Sequence, residues 1–273
     1  MRLEDYPPQE PLSDAGQRYA AECWRRGEGV AAEEHAYGPD PYQRLLVMPA
    51  PNPTGEVLLF WHGGGWTSGY KEWMAFMAPA FTAAGVTFVS AGYRLAPQHL
   101  FPAGFEDCAA ALAWVHGACT RFGGDPARLF VGGHSAGGHY AALLATRFDW
   151  QAARGLPQDV IRGALPISGV YRFGDGSGLS ARPRFLGPEG NERAASPLLW
   201  LDAPPRPMLV AWGSQDFPHL VVQAEAFADA AAAAGGRIRR LVLPGATHFT
   251  ASFAGGEADG PWVPEALAFL RAA

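Results

Sequence analysis

Gly133, His134, Ser135, Ala136 and Gly137 set a serine in a G-x-S-x-G frame, directly after the apolar run Leu129, Phe130, Val131 and directly before a stretch of small helix formers. The order is strand, sharp turn, helix. Only small flanking residues let a chain turn tightly enough to push the Ser135 hydroxyl above a sheet edge, which makes this segment a candidate nucleophile elbow. A hydroxyl is a weak nucleophile. It needs a base to take its proton and fixed donors to hold the oxyanion its attack creates. Upstream, residues 57–61 read as a buried strand ending in His62, Gly63, Gly64, Gly65 and Trp66. Bare backbone amides in such a glycine loop supply one or two oxyanion donors, and Ala136, the residue after the serine, supplies another. A glycine turn serves chain reversal just as well, so the pairing of loop and elbow carries the argument.

Downstream, residues 208–212 read as a strand ending in Gly213, Ser214, Gln215 and Asp216. A last strand at 238–243 leads through Pro244, Gly245, Ala246 and Thr247 to His248 and Phe249. A carboxylate and an imidazole therefore fall in successive strand-end loops. Most of the eight histidines need no catalytic explanation, but His248 follows a strand and trails the candidate acid by one helix and one strand. Ser135, Asp216 and His248 are the expected catalytic residues, as nucleophile, orienting acid and general base.

These side chains converge only if the elements carrying them share a sheet. Strands are expected at 44–48, 57–61, 86–91, 128–132, 161–168, 208–212 and 238–243, with helices at 71–84, 105–122, 136–147, 219–234 and 264–272. Such alternation predicts an α/β fold, a mainly parallel doubly wound sheet with helices on both faces. At 273 residues and 48% hydrophobic content the chain can bury one core, so residues 1–273 are read as one domain. Residues 172–206 break the alternation, being rich in Gly, Pro and Arg without an apolar period. A long loop of that kind is either a surface excursion or a lid over the site.

A net charge of −5 and the lack of a long basic run argue against nucleic-acid and membrane-surface partners. Residues 1–12 are polar and proline-rich, and no 18-residue apolar stretch occurs, so a cytoplasmic location is expected. Three cysteines, at 23, 108 and 119, cannot all pair. Phe105, Cys108, Leu112, Val115, Cys119 and Phe122 draw one helical stripe, which predicts that Cys108 and Cys119 are buried packing residues. His134 and His139 flank the elbow without metal-ligand spacing, and no metal or cofactor is expected.

From about Tyr42 onward the chain resembles the α/β-hydrolase superfamily, in the branch shared by hormone-sensitive-lipase-like carboxylesterases and kynurenine formamidase (arylformamidase)-like hydrolases. The resemblance rests on the elbow, the glycine loop, Tyr93-Arg94-Leu95-Ala96-Pro97 with Phe101 and Pro102, and Gly123-Gly124-Asp125-Pro126-Ala127-Arg128. Lipase-like esterases usually carry Asp before the nucleophile, whereas His134 here, like Ser168-Gly169-Val170-Tyr171, is closer to the formamidase-like group. Gly65 departs the other way, toward the esterase form of the loop. The resemblance implies the α/β-hydrolase fold and an oxyanion hole built on Gly64, Gly65 and Ala136. It implies a serine hydrolase acting on a small-molecule ester or formamide: a carboxylesterase for small or aryl esters, with arylformamidase as the alternative. An acyltransferase and a non-catalytic ligand receptor are the rivals from other classes. Aromatic residues at the motif ends, Trp66, Tyr171, Phe217 and Phe249, are the expected substrate-binding walls.

Overall fold

Residues 57–61 are apolar at every position, which suits a strand covered on both faces rather than one. The computed structural model, which describes residues 3–181, 183–187 and 190–272, places them so. Its elements run α1 (Asp14–Gly27), β1 (Glu33–Ala36), β2 (Arg44–Met48), β3 (Gly55–Trp61), α2 (Ala78–Ala83), β4 (Thr87–Ala91), α3 (Ala103–Ala118) and β5 (Gly124–His134). They continue with α4 (Ala136–Thr146), β6 (Gly163–Ile167), α5 (Asn191–Ala195), β7 (Met208–Gln215), α6 (Pro218–Ala233), β8 (Ile238–Thr247), α7 (His248–Phe253) and α8 (Val263–Ala272). Among the described residues the strands form one eight-stranded sheet in the order β1-β2-β4-β3-β5-β6-β7-β8. β1 and β2 run antiparallel at one edge, and every pairing from β4 to β8 is parallel.

Both faces are covered. Val57, Leu59 and Trp61 of β3 join a core with Phe105 and Leu112 of α3, Leu143 of α4 and Phe227 of α6. Leu58 and Phe60 join the opposite core with Tyr19 of α1, Phe81 of α2, Phe253 of α7 and Leu270 of α8. Cys23, Cys108 and Cys119 are free and buried. Among the described residues no helix is long and apolar enough to cross a membrane.

Parallel pairing brings the carboxyl ends of the strands to one edge, where such folds place their ligands. Trp61 is in register with Gly133, so the glycine loop and the elbow leave the sheet side by side. Gln215 is in register with Thr247, so Asp216 and His248 do the same.

The structure departs from the sequence expectations in the N-terminal third. The helix expected at 71–84 is a 3-10 turn, Lys71–Met77, followed by the six-residue α2. Pro79 near the start of α2 explains the break, because it lacks an N–H and its fixed φ suits a helix start rather than an interior. α1 and β1 were not expected from the sequence. α1 is amphipathic but polar overall, and its buried stripe of Gly16, Tyr19 and Cys23 holds no aliphatic residue to announce it. Its start is nonetheless marked by Ser13, whose hydroxyl caps the helix by accepting from the Gly16 N–H.

Candidate active site

The elbow is built by close backbone approach. Ser135 stands between β5 and α4 with φ 54° and ψ −115°, a conformation that L residues adopt only when their surroundings impose it. The imposing contacts are at the two glycines. A Cβ on Gly133 would lie 2.2 Å from the Gly137 carbonyl carbon, and one on Gly137 would lie 2.1 Å from the Trp61 oxygen. Neither position has room for a side chain, which is the physical content of the G-x-S-x-G spacing.

His248 Nε2 lies 2.9 Å from Ser135 Oγ, and His248 Nδ1 lies 2.8 Å from Asp216 Oδ1. The carboxylate accepts, so Nδ1 carries the proton and Nε2 is left to accept from the serine. Phe217 N–H also donates to Asp216 Oδ1 at 2.7 Å. Burial by itself would raise the Asp216 carboxyl, but the hydrogen bond and charge of His248 outweigh it and hold the acid below its ordinary range. Asp216 is therefore ionised at neutral pH. β8 is longer than expected, and His248 is the first residue of α7 rather than a loop residue.

Ser135 and His248 open into a cavity of about 550 Å³ that Gly64 and Gly65 also line. Gly64 has φ 114°, and a Cβ there would fall 1.9 Å from the Ser68 carbonyl oxygen, so the loop turns only with glycine. Ala136 is the first residue of α4, where a backbone N–H has no acceptor within its own helix.

Of the four expected wall residues, three line this cavity: Trp66, Phe217 and Phe249. The Phe217 ring stacks on the His248 imidazole at 4.7 Å and is 44% exposed. Tyr171 is a correction. It is buried, and its ring stacks at 4.3 Å on Phe227 of α6, inside the core beneath the sheet edge. The backbone after β6 turns that side chain away from the cavity and under α6. Sequence reasoning also missed much of the lining, which comes from two stretches: Leu12, Gly16 and Tyr19 in the N-terminal region, and Leu179, Arg184 and Leu220 beyond β6.

His134 and His139 are buried, and each works as a neutral tie. His134 Nε2 is 2.8 Å from the His248 carbonyl and its Nδ1 3.3 Å from the Tyr19 hydroxyl. His139 Nε2 is 2.7 Å from the Ala195 carbonyl, and its Nδ1 accepts from the Trp66 indole N–H at 3.1 Å. Burial pushes His134 down to about 3 and His139 down to about 4.

A family model for the alpha/beta hydrolase fold matches residues 58–185. Carboxylesterase NlhH of Mycobacterium tuberculosis is 44% identical over 103 residues, which are 37% of this chain and 32% of that protein. The ethyl acetate hydrolase of Pseudomonas putida is 31% identical over 223 residues, 75% of this chain and 70% of that one. The chain spans 32 to 58% of the length of the first mycobacterial esterases it matches. The solved structure of EstE1, a thermophilic carboxylesterase cloned from a metagenomic library, shares this fold, with a TM-score of 0.75 at 24% identity over 96% of this chain and 97% of that chain. The chain belongs to the α/β-hydrolase superfamily.

Proposed function

We propose that this chain is a serine hydrolase that cleaves small or aryl carboxylic esters through an acyl-enzyme on Ser135. The observation that carries the reading is the unbroken Asp216–His248–Ser135 relay, with links of 2.8 and 2.9 Å, opening into a cavity of about 550 Å³. Ester hydrolysis is what the names of the esterase and ethyl acetate hydrolase relatives support.

In the first step Ser135 Oγ attacks the ester carbonyl carbon while His248 Nε2 takes the hydroxyl proton. Asp216 holds the Nδ1–H tautomer and balances the imidazolium. Backbone N–H groups of Gly64, Gly65 and Ala136 donate to the oxyanion, and the amino end of α4 adds a favourable dipole. His248 then gives its proton to the departing alcohol. In the second step a water, deprotonated by His248, releases the acid and restores Ser135. Trp66, Phe217 and Phe249 form aromatic walls for the substrate, and the 172–206 stretch acts as a lid whose Leu179 and Arg184 reach the cavity.

His134 in the elbow favours a second reading, an aryl formamide substrate, because His248 equally supplies the proton an amide nitrogen needs to leave. Comparing kcat/KM for an aryl acetate with that for N-formylkynurenine separates the two. For either substrate, Ser135→Ala is expected to keep the fold and lose about 10⁴-fold or more of the rate. A folded Ser135→Ala protein with wild-type turnover would falsify the serine mechanism.

A further inference from the structure

The elbow histidine is not placed to react with a substrate carbonyl in the proposed mechanism, yet its hydrogen bonds lead straight to the general base. Its tautomer can be deduced. The His248 carbonyl can only accept, so His134 Nε2, 2.8 Å away, carries the proton. Nδ1 is then the acceptor, and the Tyr19 hydroxyl at 3.3 Å is its donor. Having spent its proton on His134, the Tyr19 oxygen accepts from Ser252 Oγ at 3.0 Å. One turn of α7 joins Ser252 back to His248, which closes a ring through the elbow, α1 and α7. Tyr19, His134 and Ser252 are all buried, Tyr19 and His134 at the cavity's inner wall, which strengthens the hydrogen bonds between them. The glycine loop seals it from above, since Gly63 packs so closely that a Cβ there would lie 3.0 Å from His134 Nδ1.

We infer that His134 is a positioning residue for the proposed hydrolysis, setting the place of the general base through the backbone carbonyl of His248 while Tyr19 fixes its tautomer. The inference rests on the serine-hydrolase reading above. The catalytic hydrogen bond has two ends, Ser135 Oγ and His248 Nε2, and their 2.9 Å separation must hold through each turnover. Ser135 carries the first end. His134, its neighbour in the same strained turn, ties the carbonyl one bond from the Cα of the residue that carries the second. Both ends are thereby referred to two consecutive residues of a turn whose flanking Gly133 and Gly137 approach neighbouring backbone too closely for any Cβ. The His248 side chain is fixed at its far end by Asp216 and at its near end by this carbonyl tie.

The test is steady-state hydrolysis of 4-nitrophenyl acetate, with the rate of fluorophosphonate inactivation, for wild type, His134→Leu, His134→Gln and Tyr19→Phe. His134→Leu is expected to lower kcat about 10- to 100-fold with KM within about twofold, because small misplacements of reacting groups cost rates of that order. Inactivation by the fluorophosphonate slows by the same factor. His134→Gln, which keeps an N–H near the end of the side chain, recovers most of the loss. Tyr19→Phe, which keeps the ring and removes only the donor, shifts kcat in the same direction by less. A folded His134→Leu with wild-type kcat overturns the inference, as does a Gln variant no faster than Leu. If the Leu variant does not fold, an unchanged kcat in Tyr19→Phe overturns it alone. Wild-type protein that neither turns over the ester nor reacts with the fluorophosphonate refutes the hydrolase reading itself, whereas active wild type with an equally active His134→Leu refutes only the positioning role.

Discussion

The cavity has two walls of different construction. On one side stands α1, a fourteen-residue helix whose Tyr19 is hydrogen-bonded to His134 and Ser252 and packed against the rings of Trp73, Phe249 and Phe253. On the other side the described residues of the stretch beyond β6 form the five-residue helix α5 and a 3-10 turn at Pro197–Trp200, and turn at Gly174, Gly176 and Gly178 with positive φ. The ties of this stretch run to the rim and the core rather than to His248. Gln223 accepts from the Tyr171 and Arg172 N–H groups and donates to the Ser177 carbonyl, Ser196 Oγ accepts from the Phe173 N–H, and Phe185 stacks on Trp66. One wall is tied to the base, the other to the cavity's rim. For the proposed hydrolysis, the difference predicts a division of labour: changes in the α1 wall are expected to move the rate of the chemical step, and changes in the 172–206 wall to move which substrates fit.

Acid is the strongest way to break both walls together. His134 and His139 tie one wall each, and a third buried histidine, His62, stacks on Tyr93 in the glycine loop. Burial holds His62 down to about 4, His139 to about 4 and His134 to about 3, against an ordinary value of 6.5. Between those values and 6.5 the unfolded chain binds protons that the folded chain refuses, so stability is lost as pH falls through that window and is restored above it. Each such histidine contributes a slope of at most about 1.4 kcal/mol per pH unit, reached in the middle of the window, or at most about 4 kcal/mol per unit for three acting together. Urea unfolding midpoints are expected to fall steeply from pH 6.5 to 5, and His139→Leu, if folded, to flatten that slope by about one proton's worth. A midpoint unchanged over this range means the three imidazoles are not neutral in the folded protein.

A smaller effect separates the walls. Leu179→Ala removes apolar surface from the cavity on the 172–206 side, and is expected to lower kcat/KM for a bulky aryl or branched ester about tenfold while leaving a small acetyl ester within about twofold. Tyr19→Phe on the α1 side is expected to lower kcat for both substrates by the same factor. Equal loss on both esters for Leu179→Ala contradicts the division, since it would mean that the rim wall also sets the geometry of the reacting groups.

What the sequence revealed of this arrangement follows from physics. Ser135, Asp216 and His248 were legible because each follows the carboxyl end of a strand, strongly apolar for β5 and β7 and marked by Ile238, Leu241, Val242 and Leu243 for β8, and parallel register brings such ends together whatever the loops do. Gly133 and Gly137 were legible because no other residue fits their backbone contacts. α1 was not, although it is amphipathic: it is polar overall, and its buried Gly16, Tyr19 and Cys23, spaced i, i+3 and i+7, include no strongly apolar aliphatic residue. The Ser13 cap and the spacing of Tyr19 and Cys23 were the cues available. Leu179 and Arg184 reach the cavity from irregular chain, where no period tells which way a side chain points.

Tyr171 shows the same limit at a single residue, and it supplies the mildest test of the two-wall picture. Its position three residues after Ser168, at a strand end, suggested a substrate contact, yet its ring is stacked on Phe227 and its hydroxyl has no hydrogen-bond partner among the described residues. Its contribution is packing between the strand end and α6. Replacing it by Phe deletes a buried, unpartnered hydroxyl and keeps the stack, so Tyr171→Phe is expected to leave kcat and KM within about twofold and to be neutral or stabilising by a few tenths of a kcal/mol. A tenfold rise in KM for aryl esters would instead mean that this ring turns out into the cavity when substrate binds, and that the wall on this side begins well before Gly178 and Leu179, the first residues of the 172–206 stretch to line the cavity.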